Sequence, residues 1–145
     1  MEKSERENEL VSLAGETAAC GFPSPAEPYL DSQLDLNRLL VKRPAATFFV
    51  RAAGDSMVGA GIFPGDILVV DRSLEARDGD VVIACIDGEF TVKYLRRGLG
   101  GEVFLEPANR KYKTLFFKGE EEFRLFGVVT SSLRLFRDPV KREEK

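Results

Sequence analysis

Asp87-Gly88 lies between two runs that read as strands, Val81-Val82-Ile83-Ala84-Cys85-Ile86 and Glu89-Phe90-Thr91-Val92-Lys93-Tyr94-Leu95. A two-residue connection of this type needs positive φ, which Asp-Gly supplies at low cost, so the pattern predicts a tight β-hairpin. The same texture continues on both sides. From Thr47 onward no helical period is visible, and short β-branched and aromatic runs are punctuated by Gly and Asp. Strands are expected near residues 47–52, 67–71, 80–86, 89–95, 102–106 and 123–135, the last bent or split. The fold class that follows is mainly β. With 145 residues the chain fits one domain, able to bury roughly two-thirds of the surface its unfolded form exposes.

The chain before Thr47 reads differently. Residues 1–20 are rich in Glu and poor in large apolar groups, as in a flexible arm, and they end in Ala18-Ala19-Cys20-Gly21-Phe22-Pro23-Ser24-Pro25. The prolines there forbid helix and favour an extended path. Small, extended and exposed describes a peptide bond that a protease can hold, and it equally describes a linker. Residues 21–46 are expected to hold this extended segment and one short helix near 31–41, with Asp31, Ser32 and Asp35 as capping candidates and Pro44 as its stop. The β-rich body is then 47–137, followed by a charged tail at 138–145.

A net charge of −3 and pI near 5.2 give no global basic field, so direct sequence-specific DNA binding is not expected. Cys20 and Cys85 sit in unlike settings, one polar and one apolar, which suggests neither a disulfide framework nor a metal site. No apolar run approaches the roughly 18–20 residues that cross a bilayer, and the first residues are too acidic for a secretory leader. A cytoplasmic protein without a membrane partner is expected.

Phe48-Phe49-Val50-Arg51-Ala52-Ala53 leads into Gly54-Asp55-Ser56-Met57, an apolar strand running into a turn that carries a hydroxyl. A serine needs a base to become a nucleophile, and the usual one, histidine, is absent from the chain. The remaining option is a lysine kept neutral by burial. Only Lys93 lies inside a clear strand pattern, so Ser56 and Lys93 form the pair to test. Lowering a lysine pKa by about three units costs about 4 kcal/mol, a scale that desolvation reaches. Alternation puts Thr91, Lys93 and Leu95 on one face and Phe90, Val92 and Tyr94 on the other, without telling which is dry.

Taken in order, Gly54-Asp55-Ser56-Met57, Gly61-Ile62-Phe63-Pro64-Gly65-Asp66, Asp78-Gly79-Asp80-Val81-Val82 and Asp87-Gly88-Glu89-Phe90-Thr91-Val92-Lys93 resemble the LexA/UmuD family of self-cleaving serine peptidases. Lys93 follows Ser56 by 37 residues, as the family's lysine follows its serine. With Cys20-Gly21-Phe22-Pro23 and Phe126-Gly127-Val128-Val129, the resemblance covers residues 20–130. The 20 residues ahead of Gly21 are too few for the DNA-binding domain of the family's repressors, so the UmuD-type mutagenesis branch is expected.

The resemblance implies a LexA/signal-peptidase-like β-rich fold and a substrate inside the same chain, the Cys20-Gly21 bond. Ser56 would attack the Cys20 carbonyl, Lys93 would act as base and then acid, and the backbone N–H groups of Asp55 and Ser56 would hold the oxyanion. It further implies stimulation by a RecA filament on single-stranded DNA during the SOS response, and homodimers. The shortened form would act with a UmuC-type Y-family polymerase in translesion synthesis. No cofactor or metal ion is implied. The rival is a β-fold interaction module that regulates a polymerase or other partner and has no working peptidase.

Overall fold

The computed structural model describes residues 34–117 and 123–137. The chain divides into two units, Met1–Leu39 and Leu40–Lys145. In the first, a short helix α1 (Leu36–Leu40) begins. Of the capping candidates, Asp35 takes the role: its Oδ1 accepts the N–H groups of Asn37 at 3.0 Å and Arg38 at 3.3 Å. Asp31 and Ser32 lie outside the described residues, as do the arm at 1–20, the segment through 33 and the tail at 138–145.

The second unit is one antiparallel sheet. Its strands are β1 (Thr47–Arg51), β2 (Ile67–Asp71), β3 (Val81–Ile86), β4 (Glu89–Arg97), β5 (Val103–Glu106), β6 (Leu115–Phe116) and β7 (Arg124–Leu133), in the order β1-β2-β7-β3-β4-β5-β6. The six expected strands are present within two residues of their expected ends. The seventh, β6, was not expected, because two residues carry no period; Phe116 pairs with Phe104 across the ladder, with ring centroids 5.2 Å apart.

The β3–β4 hairpin turns as its dipeptide demands, with Asp87 at φ 50° and Gly88 at φ 83°. β7 is bent rather than split. Against β2 its register jumps from Ser131 to Val129, and against β3 from Gly127 to Leu125, so Thr130 and Phe126 are bulged out. Being placed between β2 and β3, β7 completes the sheet from the far end of the chain.

Alternation along the strands serves two apolar clusters. One gathers Leu68, Val70 and Ile83 with Ala52, Met57 and Ile62; the other gathers Val82, Ala84, Leu95, Leu105, Phe123 and Val128. Met57 and Ile62 come from the loop after β1, and burying each contributes about 1.5–3 kcal/mol. That loop carries Ser56, so the first core holds the serine turn in place.

Candidate active site

The loop from β1 to β2 is pinched at its neck, where the Ala52 N–H donates to the Asp66 carbonyl at 2.7 Å and the Gly65 N–H to the Ala52 carbonyl at 2.9 Å. Within it the Ser56 carbonyl accepts the Ala108 N–H at 2.8 Å, and the Gly59 N–H donates to the Ala108 carbonyl at 2.7 Å. Gly59 is required by this approach, since a Cβ there would stand 2.6 Å from the Ala108 oxygen. The loop's far end is clamped by a buried carboxylate. Asp66 receives a two-pronged hydrogen bond from Arg134, at 2.9 and 3.0 Å, and the N–H of Phe63 at 2.8 Å.

Lys93 sits on β4 directly opposite Val82, and Thr91 opposite Ala84. Val82, Ala84 and Leu95 are fully buried, so the face carrying Lys93 is dry here, and Lys93 itself is only 7% exposed. Its Nζ lies 3.1 Å from Ser56 Oγ, 2.6 Å from Thr91 Oγ1 and 3.1 Å from the Val92 carbonyl oxygen. Among the described residues no carboxylate pairs with it. Burial without a counter-charge pushes the Lys93 amine below its ordinary pKa.

These contacts have a direct chemical reading. A neutral amine has two N–H bonds and one lone pair, and the Val92 carbonyl can only accept. With Thr91 and Val92 taking the two protons, the lone pair is left for the Ser56 hydroxyl.

Beside Ser56 a cleft of about 150 Å³ is lined by Val50, Ala52, Ile62, Ile83 and Phe90 among others. Its size and apolar walls suit one small side chain. A larger cavity of about 420 Å³, bounded by Leu95, Val103, Phe123 and Leu125 with Arg97 and Arg124, lies elsewhere and contains neither the hydroxyl nor the amine. Chemistry, not volume, selects the smaller one.

The structure thus brings together Ser56 and Lys93. Asp55 and Ser56 form the turn, and among the described residues their N–H groups donate to no protein acceptor. Cys20 and Gly21 lie outside the described residues. Among the described residues no group of side chains could hold a metal ion, and no helix is long and apolar enough to cross a membrane. Two contributors escaped the sequence reading: Thr91, whose signal was its place two residues before Lys93 on the same strand face, and Ala108, which no local pattern marks.

A family model described as Peptidase S24-like matches residues 12–130. Protein SamA of Salmonella typhimurium is 49% identical over 125 residues, covering 86% of each chain. Protein ImpA of Escherichia coli is 47% identical over 128 residues, 87% of this chain and 85% of the relative. LexA repressor 1 of Xanthomonas axonopodis pv. citri is 38% identical over 117 residues, 80% of this chain and 57% of the repressor.

Proposed function

The chain belongs to the peptidase S24-like family, and on that premise we propose that it is a self-cleaving serine peptidase with a Ser56/Lys93 dyad that cuts its own Cys20-Gly21 bond. The observation that carries this reading is the buried amine 3.1 Å from the serine oxygen in a chain without histidine. Lys93 Nζ takes the Ser56 proton as Oγ bonds to the Cys20 carbonyl carbon, and the N–H groups of Asp55 and Ser56 hold the oxygen that becomes negative. The ammonium then protonates the leaving Gly21 amine as the peptide bond breaks. Water, deprotonated by the same lysine, releases Ser56 from the acyl group.

Residues 1–20 would be freed, and residues 21–145 would be the working form. In this reading a RecA filament on single-stranded DNA stimulates the cut, the protein is a homodimer before and after it, and the shortened form serves a UmuC-type Y-family polymerase in SOS translesion synthesis. The likeness to LexA repressor 1 and the family's resemblance support that setting.

The test is to incubate the purified full chain at mildly alkaline pH and weigh the products. A fragment beginning at Gly21, absent in Ser56→Ala and in Lys93→Ala, is the expected result. A chain that stays whole, alone and with activated RecA, sinks the peptidase and leaves the interaction module.

A further inference from the structure

We infer that residues 108–112, which follow β5, brace the nucleophile from outside the dyad, and that Asn109 and Tyr112 are positioning residues for Ser56. The inference rests on the peptidase reading. Four hydrogen bonds run from this one segment to one short turn. Besides the two backbone bonds of Ala108 to Ser56 and Gly59, Asn109 Nδ2 donates to the Asp55 carbonyl at 2.8 Å, and the Tyr112 hydroxyl donates to Asp55 Oδ1. The partners are 54 and 57 residues apart in sequence, so these bonds are tertiary.

The bracing segment is itself stiffened. Asn109 Oδ1 accepts the Lys111 N–H at 3.0 Å, and the Asn109 carbonyl accepts the Tyr112 N–H at 3.1 Å. Asn109 therefore spends its amide oxygen on its own turn and its amide nitrogen on the serine turn.

What that nitrogen fixes is a peptide plane. Among the described residues no peptide bond is cis, and in a trans peptide the C=O and the N–H point in opposite directions. By holding the Asp55 carbonyl, Asn109 sets the direction of the Ser56 N–H, one of the two proposed oxyanion donors. Donation to the carbonyl also polarises the same amide and makes that N–H a stronger donor. Tyr112 holds the neighbouring Asp55 side chain, so the plane is fixed from both sides. The hydrogen bond and charge of Asp55 in turn raise the Tyr112 phenol above its ordinary pKa, which keeps the hydroxyl a donor as pH rises.

Two variants remove the bonds, the first also adding a charge. Asn109→Asp keeps the oxygen that accepts from Lys111 and loses the donor; Tyr112→Phe deletes one hydroxyl from a residue that is 44% exposed. First-order self-cleavage of the full chain is followed by intact mass from neutral to alkaline pH. The expected result is a limiting rate about tenfold lower in Asn109→Asp and several-fold lower in Tyr112→Phe, with the pH midpoint unmoved in Tyr112→Phe, which adds no charge near Lys93. A second readout needs no cleavage: in full chains carrying Ser56→Ala, amide exchange at Gly59 and Ala108 is expected to quicken about tenfold in both variants. Wild-type rates, a displaced midpoint in Tyr112→Phe or unchanged exchange overturns the inference. If the wild-type chain never cleaves, the peptidase reading fails and exchange alone judges the brace.

Discussion

At the residue scale the decisive balance is between a lysine's charge and its surroundings. Lys93 keeps three hydrogen-bond partners, which favour the ammonium, yet burial dominates and moves its pKa below the ordinary 10.5. Between the folded pKa and 10.5 the unfolded chain binds more protons than the folded one, so stability rises with pH across that window. Lys93→Met removes this dependence. Urea unfolding at a series of pH values should show the wild type gaining on Lys93→Met as pH climbs toward 10.5, and parallel curves would refute a depressed lysine. Thr91 makes a separate prediction. Thr91→Val retains the β-branched shape but lets the amine rotate, and a cleavage rate about tenfold lower is expected in a time course, with the sheet intact by circular dichroism.

At the scale of elements, the loop from β1 to β2 carries the proposed nucleophile, and what holds it comes from distant parts of the chain. Arg134, just beyond β7, pulls the Asp66 carboxyl below its ordinary 3.8 through its hydrogen bond, with the Phe63 N–H assisting and burial opposing. A depressed carboxylate contributes stability that is present above 3.8 and lost as pH falls through the folded value. Arg134→Gln should therefore begin acid unfolding at a higher pH than the wild type, seen in a circular dichroism titration. Gly59→Ala tests the other end of the loop. The added methyl would have to displace the Ala108 backbone, so a melting temperature several degrees lower and at least a tenfold slower cut are expected, by calorimetry and mass spectrometry. The hairpin carrying Lys93 was legible in Asp87-Gly88 because its turn chemistry is local. The loop's restraints were not, because Ala108 and Arg134 act across 49 and 68 residues, respectively, with no local pattern to mark them.

For the β-rich unit as a whole, strand positions were readable from short apolar runs, while the order β1-β2-β7-β3 was not, since alternation tells which residues share a face and not which strands adjoin. The face of Lys93 was undecided for the same reason: it became dry only when Val82 and Ala84 were placed opposite, beside the buried Leu95. The two apolar clusters on this sheet have separable duties. Leu105 is fully buried in the cluster of Val82 and Leu95, whereas Ile83 is buried in the cluster of Met57 and also lines the cleft. Truncating either leaves a cavity and should cost about 2–5 kcal/mol in urea unfolding. Their effects on cleavage should part. Under conditions where both variants remain folded, Leu105→Ala should cut at a rate within about twofold of the wild type, because Leu105 belongs neither to the cluster of Met57 nor to the cleft. Ile83→Ala should cut at least tenfold more slowly, because the loop loses packing beneath Ser56 and the cleft loses a wall. Equal rates in the two variants at matched stability would mean that the serine turn is held by its hydrogen bonds alone, and that the core under Met57 contributes to folding without positioning Ser56.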